Sequence, residues 1–152
     1  MTNKVVLDTN AFILYMVGLI QPNSINKHKR CSIYDYDIFE FVIALIKDKQ
    51  IITCPNIITE MDNLLNSYRD EYKIKYILLL QQVLENSVED YYKSLEFVAK
   101  HHFFSIGLTD SIILEMSKEA DFLISGDSDL CDNARSLNIE VVDLKEYVSI
   151  KL

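Results

Sequence analysis

Five acidic residues of this chain stand where a fold could put them to chemical use. "VVLDTN" delivers Asp8 directly after a run of branched apolar residues, and "LISGDSDL" delivers Asp127 and Asp129 after another. Glu60 lies on the helical stretch that follows "IITC", and Asp110, in "IGLTDSII", opens a helical stretch leading into a further apolar run. Each has an ordinary explanation. Asp8 or Asn10 can cap a helix, Asp110 suits a helix N-terminus, Glu60 can belong to a solvated face, and "GDSD" can be a turn. Convergence on one cleft would change that reading, because two carboxylates ~5 Å apart repel by roughly 3 kcal/mol at an effective dielectric near 20. A fold keeps such a cluster only when something positive sits in it. An all-oxygen donor set suits Mg²⁺ or Mn²⁺, and one or two such ions can bridge a phosphodiester, acidify water and stabilise the leaving oxygen. Zinc is disfavoured: the histidines are His28, His101 and His102, none adjoins these acids in sequence, and the paired His101 and His102 point to different helix faces.

Convergence depends on the elements between the acids. Four short apolar stretches, residues 4–7, 50–54, 121–125 and 140–142, read as strands. Between them the period becomes helical. Phe39, Val42, Ile43 and Ile46 place a helix over residues 35–49, and Ile57, Met61, Leu64, Leu65 and Tyr68 place another after Pro55. Further helices are expected over residues 73–84, 88–102 and 109–118, which makes residues 66–105 a strand-free helical segment between the second and third strands. Residues 20–34 read as one extended polar loop. Strands alternating with helices predict an α/β fold, a parallel sheet of about four to five strands sandwiched by helices, in one domain over residues 1–152. In such sheets ligands sit beyond the carboxyl ends of the strands, and right-handed crossovers send the helix starts to the same edge. Asp8, Glu60, Asp110 and Asp127 would then meet there. Asp132 and Asp143 fall outside this pattern and are expected to matter far less.

The composition narrows the partners. Asp and Glu number 23 against 15 Lys and Arg, a net charge of −8, which argues against nucleic-acid binding by overall attraction and leaves room for a local basic groove or a bound metal. Cys31, Cys54 and Cys131 lie far apart with no C-x-x-C pair, as expected of buried thiols in a reducing cytosol. Asp8 interrupts the apolar start, no small-residue cleavage site follows, and residues 11–20 are too few to span a bilayer. A cytoplasmic protein without a membrane partner is the expectation.

Taken together and in order, "VVLDTNAFI", "NIITEMDNLL", "GLTDSIILEMS" and "DFLISGDSDL" resemble the motifs of PIN-domain ribonucleases over nearly the whole chain. The resemblance implies a parallel sheet between helices and metal-dependent endonuclease cleavage, usually of RNA. The family's acidic quartet falls on Asp8, Glu60, Asp110 and Asp127, with Asp129 similar to the more variable second acid of the closing motif. Asp8, Asp110 and Asp127 would hold Mg²⁺ or Mn²⁺ directly or through water, and Glu60 would be a ligand or orient the water. Thr9, Asn10 and Ser125 match polar positions that orient the acids. Many compact members resemble toxins of the VapC type, held inactive by an antitoxin protein that covers the cleft. The helical middle between Tyr68 and Ser105 matches no motif of the family.

"NKHKR" is the only dense basic run, so Lys27, Lys29 and Arg30 are the candidates for RNA phosphates, against the reading of a solvated loop. Ile, Leu and Tyr between Ile74 and Phe104 exceed what one small sheet covers, so a homodimer interface is expected there. Aspartate-phosphorylated phosphatases need a second acid where Asn10 stands, and receiver domains need paired acids before the acceptor. The competing reading is a catalytically inactive PIN-like scaffold that binds a protein or nucleic acid without cutting it.

Overall fold

Val5, Val6 and Leu7 are completely buried, as the centre of a sheet covered on both faces requires. They form β1 (Lys4–Leu7), the middle strand of a five-stranded sheet in a computed structural model that describes residues 1–100 and 102–151. His101, and with it the expected relation of His101 to His102, lies outside the described residues. The order of elements is β1, α1 (Thr9–Ile20), a 3₁₀ turn (Pro22–Lys27), α2 (Tyr36–Ile46), β2 (Gln50–Thr53), α3 (Pro55–Leu65), α4 (Asp70–Glu85) and β3 (Val88–Glu89). There follow α5 (Ser94–Val98), α6 (Phe103–Ser117), β4 (Phe122–Ser125), α7 (Ser128–Ser136), β5 (Val141–Asp143) and α8 (Leu144–Lys151).

The strands run in the order β3-β2-β1-β4-β5 and every pair is parallel. The expected α/β class and parallel sheet are therefore present. From β1 the chain winds outward to β2 and β3, then crosses back to β4 and β5 on the other side, so the order reverses between β1 and β4. α1 is apolar around nearly its whole circumference, with Phe12, Ile13, Leu14 and Met16 fully buried, the signature of a helix wrapped by others rather than laid on a surface. Its neighbour α2 comes so close that a Cβ at Gly18 would lie 2.1 Å from the Phe39 ring. Cys31, Cys54 and Cys131 are free thiols buried in this core. Among the described residues no helix is long and apolar enough to cross a membrane.

The expected helix over residues 88–102 is the main departure. Ile52 pairs with Val88 and Thr53 with Glu89, while Asp90 N donates to Thr53 O at 3.0 Å, so the open edge of β2 captures this backbone as a short strand. Residues 66–105 thus contain a strand, and the helix after it shrinks to Ser94–Val98. The local period suits a helix, but the unpaired edge of β2 offers the backbone a better alternative. Residues 20–34 are likewise more ordered than a loop, since Pro22 begins a 3₁₀ turn and Cys31 Sγ donates to Ile25 O.

Candidate active site

The reversal between β1 and β4 opens a crevice at the carboxyl ends of those strands, and Asp8 ends the first of them. Asp8 is the N-cap of α1: its Oδ1 accepts from Ala11 N at 2.8 Å, while Oδ2 accepts from Ser125 Oγ across the gap from β4. Ser125 Oγ in turn accepts from Asp127 N at 3.0 Å, which fixes its proton on Asp8. The capping reading of Asp8 is therefore correct as geometry, yet capping does not satisfy the group. Burial pushes its pKa up to about 6; the hydrogen bonds from Ser125 and Ala11 oppose this, and Asp127 and Asp143 add to it.

Asp110 faces it from α6. This helix is broken at Gly107, whose φ of 83° and ψ of −176° lie where side-chain-bearing residues are strained. Nothing stands within 4 Å of where a Cβ would be, so backbone conformation and not space calls for glycine there. The break starts a fresh helical segment, and Ser111 Oγ secures it by donating to Gly107 O at 2.6 Å. Asp110 falls in its first turn, turned toward the crevice. Burial raises its pKa to about 7, reinforced by Asp8, Asp127 and Glu60, and no cation among the described residues offsets the rise. Asp127 caps α7 through Oδ1 to Leu130 N, and Glu60, exposed on α3, accepts from Thr9 Oγ1 at 3.3 Å.

These four acids line one cleft of about 380 Å³ together with Thr9, Asn10 and Arg30. Asp129 does not join them; it opens onto a neighbouring pocket of about 460 Å³ that shares Asn10, Arg30 and Asp127 with the first. Ser125 lies behind Asp8, fully buried. Of the basic run, Arg30 borders both hollows, Lys29 borders the second, and Lys27 faces a separate groove beside Val17 and Tyr68.

Oxygen donors of this kind match a hard divalent cation. Among the described residues, however, no three His, Cys, Asp or Glu side chains form a ready ligand group. The expected convergence is thus a shared cleft rather than a preformed cage. Asp8 spends both oxygens and Asp127 one on holding the backbone and Ser125, while burial and the neighbouring charges raise the pKa of Asp8 and Asp110. A bound cation would offset that charge.

Sequence reasoning missed three neighbours of this site. Asp143 is buried at the end of β5, where its charge adds the smallest of the contributions that raise the pKa of Asp8. The signal was available: "VVDL" closes a strand with an acid just as "VVLD" does. Tyr34 is buried with its hydroxyl so near Gly126 that a Cβ there would sit 2.0 Å from it. Lys145 reaches the second pocket from α8, and no pattern in the sequence pairs it with Arg30.

No protein-family model matches the chain, and no curated protein matches it. Among solved structures, a domain of a functionally unknown protein from Methanocaldococcus jannaschii DSM 2661 is similar, at 22% identity and a TM-score of 0.46, over 92% of this chain and 89% of that one.

Proposed function

We propose that the chain is a metal-dependent endoribonuclease that hydrolyses RNA phosphodiester bonds at the cleft between β1 and β4. The observation that carries this reading is that Asp8, Glu60, Asp110 and Asp127 line one cleft at the crevice where parallel sheets bind ligands, with Asp8 and Asp110 pushed up by burial and by the charges around them. Such a cluster costs stability unless it serves a cation. Asp8, Asp110 and Asp127, with Glu60 at the rim, would hold Mg²⁺ or Mn²⁺, which would supply the positive charge that hydrolysis of a phosphodiester needs. Asp8 is locked in place by Ser125 and Ala11; Glu60, exposed and tied among the described residues only to Thr9, is free to orient water. RNA as the substrate rests on the resemblance of the ordered motifs to PIN-domain ribonucleases, as does the further proposal of a toxin held by an antitoxin. A homodimer finds support in the exposed Ile74, Ile77 and Leu78 on α4.

A catalytically inactive scaffold is the second reading, and one observation favours it: the lack of a ready three-ligand group among the described residues. Cleavage separates the two. Purified protein should cut single-stranded RNA with Mn²⁺ or Mg²⁺, stop in EDTA, and lose the activity in Asp110→Asn. Cutting that persists unchanged in Asp110→Asn, with trace nuclease excluded, would overturn the site assignment, and no cutting with either metal would leave the scaffold.

A further inference from the structure

The pocket beside the acidic cleft has the opposite character, and in a chain of net charge −8 that contrast is informative. Lys29 and Arg30 arrive from the segment after the 3₁₀ turn and Lys145 from the start of α8, more than a hundred residues away in sequence. Neither Lys29 nor Arg30 takes part in an ion pair among the described residues. Asp127 and Asp129 also line the pocket, but Asp127 has one oxygen committed to Leu130 N. Tyr34, 4% exposed, also lines the hollow, and its hydroxyl makes no hydrogen bond among the described residues. Here the chain keeps Gly126 bare so that the hydroxyl can stand there, held by packing and left with a free donor.

We propose that this pocket is a phosphate subsite for the nucleic-acid strand: Arg30, Lys29 and Lys145 supply charge, and Tyr34 donates a hydrogen bond to the backbone phosphate next to the one in the acidic cleft. The inference rests on the nuclease reading above and adds to it the direction in which the strand leaves the cleft. Asn10, Arg30 and Asp127 line both hollows, so the two are neighbours with Arg30 at their boundary. The division of labour is physically sensible. Acids that repel phosphate need a cation to bind it, so the strand must be held by fixed positive charge nearby.

Binding and cutting are measured separately. Fluorescence anisotropy with a labelled single-stranded oligoribonucleotide in EDTA reports binding without cleavage. Lys145→Ala and Lys29→Ala should each weaken binding about fivefold and reduce the slope of log K against log salt by about 0.7. Tyr34→Phe, which keeps the ring and the packing, should weaken binding about threefold with the salt slope unchanged. Lys47→Ala, at the other end of the sheet, is the control for overall charge. In the cleavage assay the Lys145 effect should fall on KM. If the variants bind as the parent does, or no more weakly than Lys47→Ala, the subsite is overturned even where RNA is cut. If they bind weakly but the parent cuts no RNA with any metal, the subsite stands and the nuclease reading fails. A mononucleotide or inorganic phosphate that binds as tightly as the strand, with the same variant pattern, would make this a small-anion site and overturn the strand assignment.

Discussion

The two ends of the sheet treat their carboxylates in opposite ways. At the amino end, Asp121 accepts from Lys49 Nζ at 2.7 Å, from Thr2 N at 2.6 Å and Thr2 Oγ1 at 2.8 Å, and from Asn3 N at 3.2 Å. These partners, Lys49 foremost, hold its carboxyl well below the usual range. At the carboxyl end, Asp8 and Asp110 sit among other acids and are pushed to about 6 and about 7. One sheet thus carries a carboxylate that ties the N-terminal segment and the start of β4 to Lys49 before β2, and a set whose one neighbouring cation in the cleft, Arg30, is not among the causes that lower the pKa of Asp8 or Asp110. On the proposed reading, the raised pair is where a cation would bind.

The largest expected effect separates the ends by activity. Asp8→Asn and Asp110→Asn should each lower RNA cleavage about 10²–10⁴-fold while circular dichroism shows the fold retained. Asp121→Asn should cut as the parent does and melt at a lower temperature. Equal activity in all three would erase the distinction.

The next effect is the pH dependence of stability, and its sign differs between the ends. A group whose folded pKa is raised binds more protons folded than unfolded, so it favours the folded state at low pH and loses that contribution as pH rises. For Asp8 and Asp110 the window runs from the ordinary carboxylate range near 4 up to about 7, so the metal-free protein should lose about 1–3 kcal/mol between pH 5 and pH 8. Asp121, being depressed, contributes above the ordinary range and loses that contribution as pH falls below it. Denaturant melts across this range should show the loss shrink in Asp110→Asn, and shrink less in Asp143→Asn, which removes only a lesser contributor to the shift of Asp8. A metal-free stability that rises steadily from pH 5 to pH 8 would contradict the raised pair.

The smallest effect concerns Thr53, at the carboxyl end of β2. Its hydroxyl is fully buried and without a hydrogen-bond partner among the described residues. Thr53→Val should stabilise the protein by about 1 kcal/mol in urea melts, because a buried polar group without a partner costs about that much. A loss of stability would show that the hydroxyl has a partner.

Legibility followed how locally each feature is written. β1, β2 and β4 were readable because both faces of each are buried, leaving continuous runs of Val, Ile and Leu. Asp8 and Asp127, at or just beyond the ends of β1 and β4, were readable for the same reason, each following such a run. β3 was not, because two residues carry no period and the edge of β2 alone makes them a strand. Asp143 had the same local signature as Asp8 and was passed over because β5 is short and half-buried. Tyr34 and Lys145 belong to the site only through contacts across the fold. Nothing beside Tyr34 in sequence says that Gly126 yields to its hydroxyl. The helix start just before Asp110 was legible in "IGLTDSII", read as a helix over residues 109–118; the backbone angle at Gly107 adds why the start falls there.

The most direct test of the central claim is the Mn²⁺ dependence of the melting temperature in the parent, Asp110→Asn and Asp121→Asn, at pH 7.5 in metal-free buffer. A cation bound only by the folded state adds RT ln(1 + [L]/Kd), about 2.7 kcal/mol at one hundred times Kd. The parent and Asp121→Asn should rise by the same increment from different starting temperatures, while Asp110→Asn, starting no lower than the parent, should rise far less. No rise in the parent, or the same rise in all three, would contradict the claim that the acids at the carboxyl end of the sheet are held in readiness for a cation.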